Sequence, residues 1–244
     1  MQKLTKKLPN TPGVYIFRGE KRTILYIGKA TSLKTRVASY FRRDVIATRG
    51  PIIANMVDVA KTVDTITTDS VLEALILEAH LIKKHQPPYN TKEKDNKSFN
   101  YVVITKEEYP RVIIMRLRNL EVEPPSDIKY SFGPFPQGSV LREALSLVRK
   151  IFPFRDKCVP NSGKPCFNAQ IGLCPGVCTG KVSRTEYAKT IRHIKLFFEG
   201  KKTTLLRTLE REMKNSARIL KFEEASRFKK TIFMPVGVDE DSAH

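Results

Sequence analysis

No run of 18 apolar residues occurs in the 244-residue chain, which excludes a membrane-spanning helix. No basic amphipathic segment stands apart from the rest, so the chain offers a membrane surface no docking element. The lysine-bearing start, Met1 to Asn10, has no apolar core of the kind a secretory signal needs, and a cytoplasmic location is expected. Internal repeats and low-complexity tracts are also missing. Acidic residues are in short supply, with 25 Asp+Glu against 44 Lys+Arg and a formal net charge of +19. An excess of that size points to a polyanionic partner, and nucleic acid is the commonest one. Hydrophobic residues make up 41% of the chain, enough for a buried core and too many for a disordered one.

Two β-branched and aromatic runs open the chain, Gly13–Phe17 and Thr23–Ile27, separated by the polar, glycine-containing turn 18–22. This pattern predicts a β-hairpin. A short helix follows, with Thr31 or Ser32 as its cap and Leu33, Val37 and Tyr40 on one face. A third strand fits Val63–Thr68. The clearest helix runs from Val71 to Lys84, where Ser70 and Glu73 have capping-box spacing and Pro87-Pro88 ends the element. A β-β-α-β-α order within a hundred residues predicts a small α/β (α+β) module. Beyond it, Tyr101–Thr105 and Arg111–Leu117 read as strands, Gly133–Pro136 as loop and Val140–Ile151 as helix. Helices fill most of 184–233.

Glu78 is the most informative residue of the 71–84 helix. Glu73 and His80 share a polar strip, whereas Glu78 lies about 140° around from Glu73, among Val71, Ala74, Leu75 and Ile82. An unpaired carboxylate on an apolar face is costly, so it calls for a buried cation or a metal ion. Tyr15 and Tyr26 stand on adjacent strands, with Tyr40 at the end of the next helix. Core packing accounts for most strand tyrosines. Tyr26, however, is followed by Gly28, which permits close approach, and Lys29, which adds charge, and Arg36 lies on the next helix. Together a phenol, two cations and a carboxylate suit phosphodiester chemistry.

At these residues the chain resembles a known family. Gly13-Val14-Tyr15 and Tyr26-Ile27-Gly28 match the two halves of the GIY-YIG nuclease signature. Pro12–Tyr15, Leu25–Ala30, Leu77–Ala79, Leu81–Lys84, Pro88–Thr91 and Asp95–Ser98 look like the UvrC family in particular. The resemblance implies a metal-dependent DNA endonuclease of nucleotide excision repair that incises 3′ to the lesion in damaged double-stranded DNA. It implies that Glu78 ligates Mg²⁺ or Mn²⁺, that Tyr26 is the general base or positions the attacking water, and that Lys29 and Arg36 hold the scissile phosphate. Tyr15 and Tyr40 would line the site, and Asn90 would order it. A non-catalytic DNA-binding adaptor and a stand-alone GIY-YIG structure-specific nuclease are the competing readings. Family members continue into a second, RNase H-like nuclease and a helix-hairpin-helix region, and neither fits within 244 residues.

All four cysteines fall between 158 and 178. In a reducing compartment that crowding favours a metal over disulfides, and the intervals between Cys158, Cys166, Cys174 and Cys178 do not name the metal. The family resemblance extends through this segment and implies a 4Fe-4S cluster, with zinc as the alternative. Lys157 before Cys158 and Val177 before Cys178 depart from the family's pattern. Further on, Leu205, Leu206, Leu209, Met213 and Ala217 recur at helical spacing, as do Phe222, Ala225, Phe228 and Ile232. Two short amphipathic helices bury little against each other, so a partner is expected. Leu220–Phe228 resembles the UVR motif, which implies that Phe222, Ala225 and Phe228 bind UvrB. The expected organisation is a nuclease domain over 1–100, a connecting α/β segment over 101–152, the cysteine segment over 153–195, the hairpin over 196–235 and a tail over 236–244.

Overall fold

The computed structural model describes residues 8–42, 44–92, 99–122 and 127–219, together with Ser226 and Lys229. The described chain forms two compact units. One runs up to Phe99 and takes in Gly133–Pro136, and the other comprises Asn100–Phe132 and the residues from Gln137 on. Among the described residues, no helix is long and apolar enough to cross a membrane.

The first unit is built on the expected hairpin. Strands β1 (Gly13–Arg18) and β2 (Ile24–Ala30) pair antiparallel, with Tyr15 opposite Gly28 and Phe17 opposite Tyr26. Helix α1 (Leu33–Ala38) begins at Ser32, whose Oγ accepts the Thr35 N–H, and a 3₁₀ turn over Ser39–Phe41 carries Tyr40. Two short helices absent from the sequence reading follow, α2 (Val45–Arg49) and α3 (Pro51–Val59). Strand β3 (Thr62–Thr67) then pairs antiparallel with β1, giving the order β2-β1-β3. A Cβ on Gly13 would stand 2.2 Å from the Ile66 carbonyl oxygen, so only glycine allows this approach of β1 to β3.

Helix α4 (Val71–His85) matches the expected span and ends where Gln86 turns left-handed. Its cap is only half the expected box. Ser70 Oγ accepts the Glu73 N–H at 3.1 Å, but the Glu73 carboxylate reaches the Asp69 N–H rather than that of Ser70. Alternation along the strands sends side chains to opposite faces of the sheet. Tyr15, Phe17, Ala30, Leu33, Val37, Tyr40, Ile53 and Met56 form one core cluster, and Val14, Ile16, Ile27, Ala74 and Ile82 form another with α4. Each large apolar side chain fully buried this way contributes about 1.5–3 kcal/mol. Helix α5 (Pro88–Lys92) follows and carries Asn90.

The second unit opens with β4 (Asn100–Thr105) and β5 (Val112–Arg116), paired antiparallel, followed by a short helix α6 (Leu117–Val122). Strand β6 (Ile128–Phe135), of which residues 128–132 belong to this unit, completes the order β5-β4-β6. The loop expected over Gly133–Pro136 is therefore a strand through Phe135. An edge strand tolerates Pro134, whose missing N–H costs no ladder bond on the open side. Helix α7 (Gly138–Ile151) buries Leu141, Ala144 and Val148 at helical spacing. After the cysteine loop, which contains the single-turn helix α8 (Phe167–Gln170), come α9 (Arg184–Phe198) and α10 (Lys202–Arg218). A complete capping box, unforeseen in the sequence, starts α9, where Ser183 and Glu186 bond reciprocally.

Helix α10 buries Leu205 and Leu209. It packs on α9, where Glu212 meets the buried His193 at 3.2 Å. Of the expected apolar face, Leu205 and Leu209 are thus buried in the chain's own fold, Leu206 and Met213 are half-buried, and Ala217 is exposed where Ser216 is buried. Phe222, Ala225 and Phe228, expected to bind a partner, lie outside the described residues, as does the Asp95–Ser98 motif.

Candidate active site

Strand alternation places Tyr15, Tyr26 and Gly28 on one face of the β1–β2 hairpin, and the turn after α1 swings Tyr40 over them. The Tyr15 and Tyr40 hydroxyls are 2.7 Å apart, and both side chains are buried. The Tyr26 ring completes a triangle, its centroid 6.3 Å from each of the other two, and it remains half-buried. Arg36 Nε donates to the Tyr15 hydroxyl at 3.4 Å. Burial first, and then Tyr40, pushes the Tyr15 phenol well above its usual range, so it stays protonated and serves as a hydrogen-bonding group rather than a base. Burial acts to lower the Arg36 pKa, but the Tyr15 and Tyr40 phenols outweigh it and push it up. The guanidinium is therefore a fixed cation.

Gly28 is what lets Tyr15 reach across the hairpin. A Cβ there would lie 2.2 Å from the Tyr15 hydroxyl oxygen and 2.4 Å from the ring carbon that bears it. Gly28→Ala is expected to force the ring off its packed position, break the Tyr15–Tyr40 pair and destabilise the unit by about 1–3 kcal/mol. Thermal denaturation checks this, and an unchanged Tm would mean that the ring yields freely.

The outer edge of β2 is sealed by two side chains instead of another strand. Asn90 takes the Ile27 N–H on Oδ1 and gives its Nδ2–H to the Ile27 carbonyl, both at 2.8 Å. One residue pair further along, Glu78 Oε1 accepts the Lys29 N–H at 2.8 Å. Glu78 is 8% exposed, while His80 on the same helix is exposed. Glu78 therefore sits beside the strand residue next to Gly28, on which the tyrosine pair rests. Tyr15, Tyr26, Lys29, Arg36, Tyr40, Glu78 and Asn90 thus belong to one neighbourhood on the β1–β2 hairpin and its flanking helices. The Glu78 carboxylate suits a hard divalent cation: a single charged oxygen ligand oriented by the Lys29 N–H, with water to complete the shell.

Arg49 escaped the sequence reading. Its guanidinium lies 4.2 Å from the Tyr40 ring centroid, and Nη2 donates to Ser39 Oγ at 2.8 Å. Its helix is five residues long and carries no periodic signal, so only the surrounding basic composition pointed to it.

In the second unit, the sulfurs of Cys158, Cys166 and Cys178 lie within 4.8 Å of one another. Cys174 is buried and is not one of this trio. Burial and the neighbouring sulfurs of Cys174, Cys166 and Cys178 push the Cys158 thiol up to about 12. The loop is held by its own backbone, with Asn161 N–H on the Val177 carbonyl and Gly163 N–H on the Cys178 carbonyl, both at 3.0 Å. The Cys166 N–H points at Cys178 Sγ at 3.3 Å. Converging sulfurs with an N–H aimed at one of them fit a thiolate-bound metal or cluster.

Residues 11–91 match the family model described as the UvrC-like GIY-YIG domain, and residues 99–197 match the UvrC/Cho excinuclease middle domain. The chain is 42% identical over 229 residues to a UvrABC system protein C from Cyanothece sp., an alignment covering 93% of this chain and 36% of that one. It is 39% identical over 227 residues to the UvrABC system protein C of Methanothermobacter thermautotrophicus, covering 93% of this chain and 37% of that one. The chain therefore spans little more than a third of the length of these relatives. A crystal structure of the GIY-YIG N-terminal endonuclease domain of UvrC from Thermotoga maritima, bound to magnesium, aligns at 36% identity and a TM-score of 0.32. That alignment covers 36% of this chain and 92% of that one.

Proposed function

The chain belongs to the UvrC family through its GIY-YIG and middle domains, and from that premise we propose that it hydrolyses a DNA phosphodiester 3′ to a lesion, acting on damaged double-stranded DNA together with UvrB. The observation that carries this reading is the Tyr15–Tyr40–Arg36 network, set beside a Glu78 carboxylate oriented by the backbone of the same hairpin. Arg36 and Lys29 bind the scissile phosphate and neutralise its charge. Tyr15, kept protonated, donates to a phosphate oxygen or to water. Tyr26 has the solvent access the other two phenols lack; having given its hydroxyl proton to solvent, it takes the proton of the attacking water as a phenolate. That water adds to phosphorus as the P–O bond breaks, and the departing oxygen leaves with a proton from solvent. Mg²⁺ or Mn²⁺ held by Glu78 supplies positive charge for the departing oxygen. Asn90 holds the β2 edge at Ile27, so that the Tyr26–Lys29 segment keeps its shape.

We assign Cys158, Cys166, Cys174 and Cys178 to a structural metal group, either an iron–sulfur cluster or a zinc ion. UvrB is the partner of the segment bearing Phe222, Ala225 and Phe228. An adaptor without catalysis has no use for the whole tyrosine–arginine–glutamate arrangement, and a stand-alone nuclease has none for the middle domain. The test is nicking of duplex DNA with Mg²⁺ or Mn²⁺ by the wild-type chain and by Tyr26→Phe. Loss of a positioned general base is expected to slow the cut by about 10²-fold, with DNA affinity held within a few-fold. Full nicking by Tyr26→Phe would remove that residue from the chemistry.

A further inference from the structure

The cysteine loop carries more exposed apolar surface than a purely structural metal site requires. Phe167 is 72% exposed, Val159 66% and Ile171 50%. Phe167 and Ile171 stand one turn apart, the Ile171 N–H bonding to the Phe167 carbonyl at 3.2 Å, and so share a side of the loop. Val159 follows Cys158 and Phe167 follows Cys166. The sulfurs of those two cysteines lie within 4.8 Å of each other, so both exposed residues directly follow members of the same cysteine trio.

The stretch itself carries charge of a single sign. No acidic residue occurs from Lys157 to Thr185, whereas Lys157, Lys164 and Lys181 are all exposed there. Asp156, just before the stretch, reaches the loop by accepting from Asn168 Nδ2 at 3.3 Å, and its charge is engaged with Arg149 at 3.0 Å and with the Lys157 N–H. An exposed aromatic among unopposed lysines is the composition of a nucleic-acid stacking platform, in which the ring meets a base and the ammonium groups meet phosphates. A phenyl ring cannot stack on a base inside an intact duplex without first opening it, at a cost of a few kcal/mol. An unpaired or already unstacked nucleotide is therefore the favoured ligand.

We propose that the cysteine loop is a second DNA-binding site, separate from the tyrosine cluster, in which Phe167 stacks on an unpaired base beside Ile171 while Lys157, Lys164 and Lys181 hold the flanking phosphates. The inference rests on the reading of the chain as a DNA-acting protein, and it assigns the cysteine segment a role in choosing distorted over regular DNA.

The experiment uses the full chain as purified with its metal, in a Glu78→Gln background so that DNA stays intact. It is titrated at fixed salt against a duplex with a short unpaired bubble containing 2-aminopurine and against the fully paired duplex. Phe167→Ala is expected to weaken bubble binding by about fivefold or more, to relieve the 2-aminopurine quench and to change duplex binding by less than about twofold. Phe167→Trp should restore bubble binding, and Lys164→Gln should lower the log–log salt slope by about one. Phe167 is exposed, so its loss leaves the core untouched, and an unchanged circular dichroism spectrum verifies this. Equal affinity of Phe167→Ala and its parent for the bubble overturns the proposal, as does equal weakening on bubble and duplex. Unchanged DNA binding with altered sedimentation would assign the patch to a protein contact and would equally overturn it. A chain that binds neither DNA would bring down the nuclease reading as well, which separates the two failures.

Discussion

Glu78→Gln is expected to slow nicking by about 10³-fold or more, because withdrawing a metal's stabilisation of the departing oxygen removes several kcal/mol from the transition state. The substitution isolates charge from shape. Glutamine keeps an oxygen that can accept the Lys29 N–H, so the 2.8 Å bond that fixes the end of β2 survives, and only the negative charge is lost. Folding stability should therefore stay within about 1 kcal/mol, since one neutral hydrogen bond replaces a charge-assisted one. DNA affinity should hold or rise slightly, because a carboxylate near a phosphate is repulsive without its cation. If activity and stability fell together, Glu78 would be a structural brace of the strand edge, and the chemistry would need another metal ligand.

Arg155→Ala is expected to give the largest loss of stability in the second unit, about 2–4 kcal/mol, since several buried groups lose their donors at once. Arg155 lies before the cysteine loop and binds it to the β4–β5 turn. Its Nη1 donates to Glu107 Oε2 at 2.9 Å and to the Tyr109 carbonyl, and its Nε donates to the Cys158 carbonyl at 2.6 Å. Its backbone N–H reaches the Tyr187 hydroxyl, which in turn donates to the Pro110 carbonyl at 2.7 Å. The backbone bonds survive the substitution and the three side-chain bonds do not. In a melt of this size the change corresponds to a fall in Tm of roughly 6–15 °C.

The same site fixes a pH dependence. Burial alone would raise the Glu107 pKa, but donation from Arg111, Arg155 and Thr105 outweighs it and holds the carboxyl below its usual value. A depressed folded pKa adds stability that is fully present above the unfolded value, about 4.3, and is lost as pH falls through the folded one. Wild type should thus lose stability in acid over that window, and Arg155→Ala should lose less there because part of the depression has already gone. Urea melts between pH 3 and 7 measure both effects. A Tm within about 2 °C of wild type would mean that Arg155 is replaceable by water.

The hairpin, the 71–85 helix and the positions of Tyr15, Tyr26 and Tyr40 were legible because strand and helix periods fix which residues share a face. Glu78 was legible as an anomaly, a carboxylate on an apolar face. Its backbone partner was not, because an N–H on an open strand edge leaves no trace in residue identity. Asn90 is similar: its family match marked the position, but its double bond to Ile27 depends on α5 lying along β2. Arg49 was hidden by the shortness of α2. The β6 strand was masked by Pro134 within it and Pro136 just after it, which read locally as a turn until the strand's edge position is known. Helix α10 carried an apolar stripe that pattern alone could not assign to a partner or to α9, and in the structure it packs on α9 with Leu205 and Leu209 buried and Leu206 and Met213 half-buried. Exposure of Phe167 left no trace in the sequence, because residue identity alone does not fix burial in a loop without periodicity.

The central claim is that the tyrosine–arginine–glutamate cluster cuts DNA. The most direct test is strand-specific incision of a lesion-bearing duplex with Mg²⁺ and UvrB, comparing the wild-type chain with Glu78→Gln. A single cut on the 3′ side of the lesion, made by wild type and lost in the variant, is the predicted result. An intact strand with DNA and UvrB both bound to the wild-type chain, or equal cutting by both proteins, would contradict it.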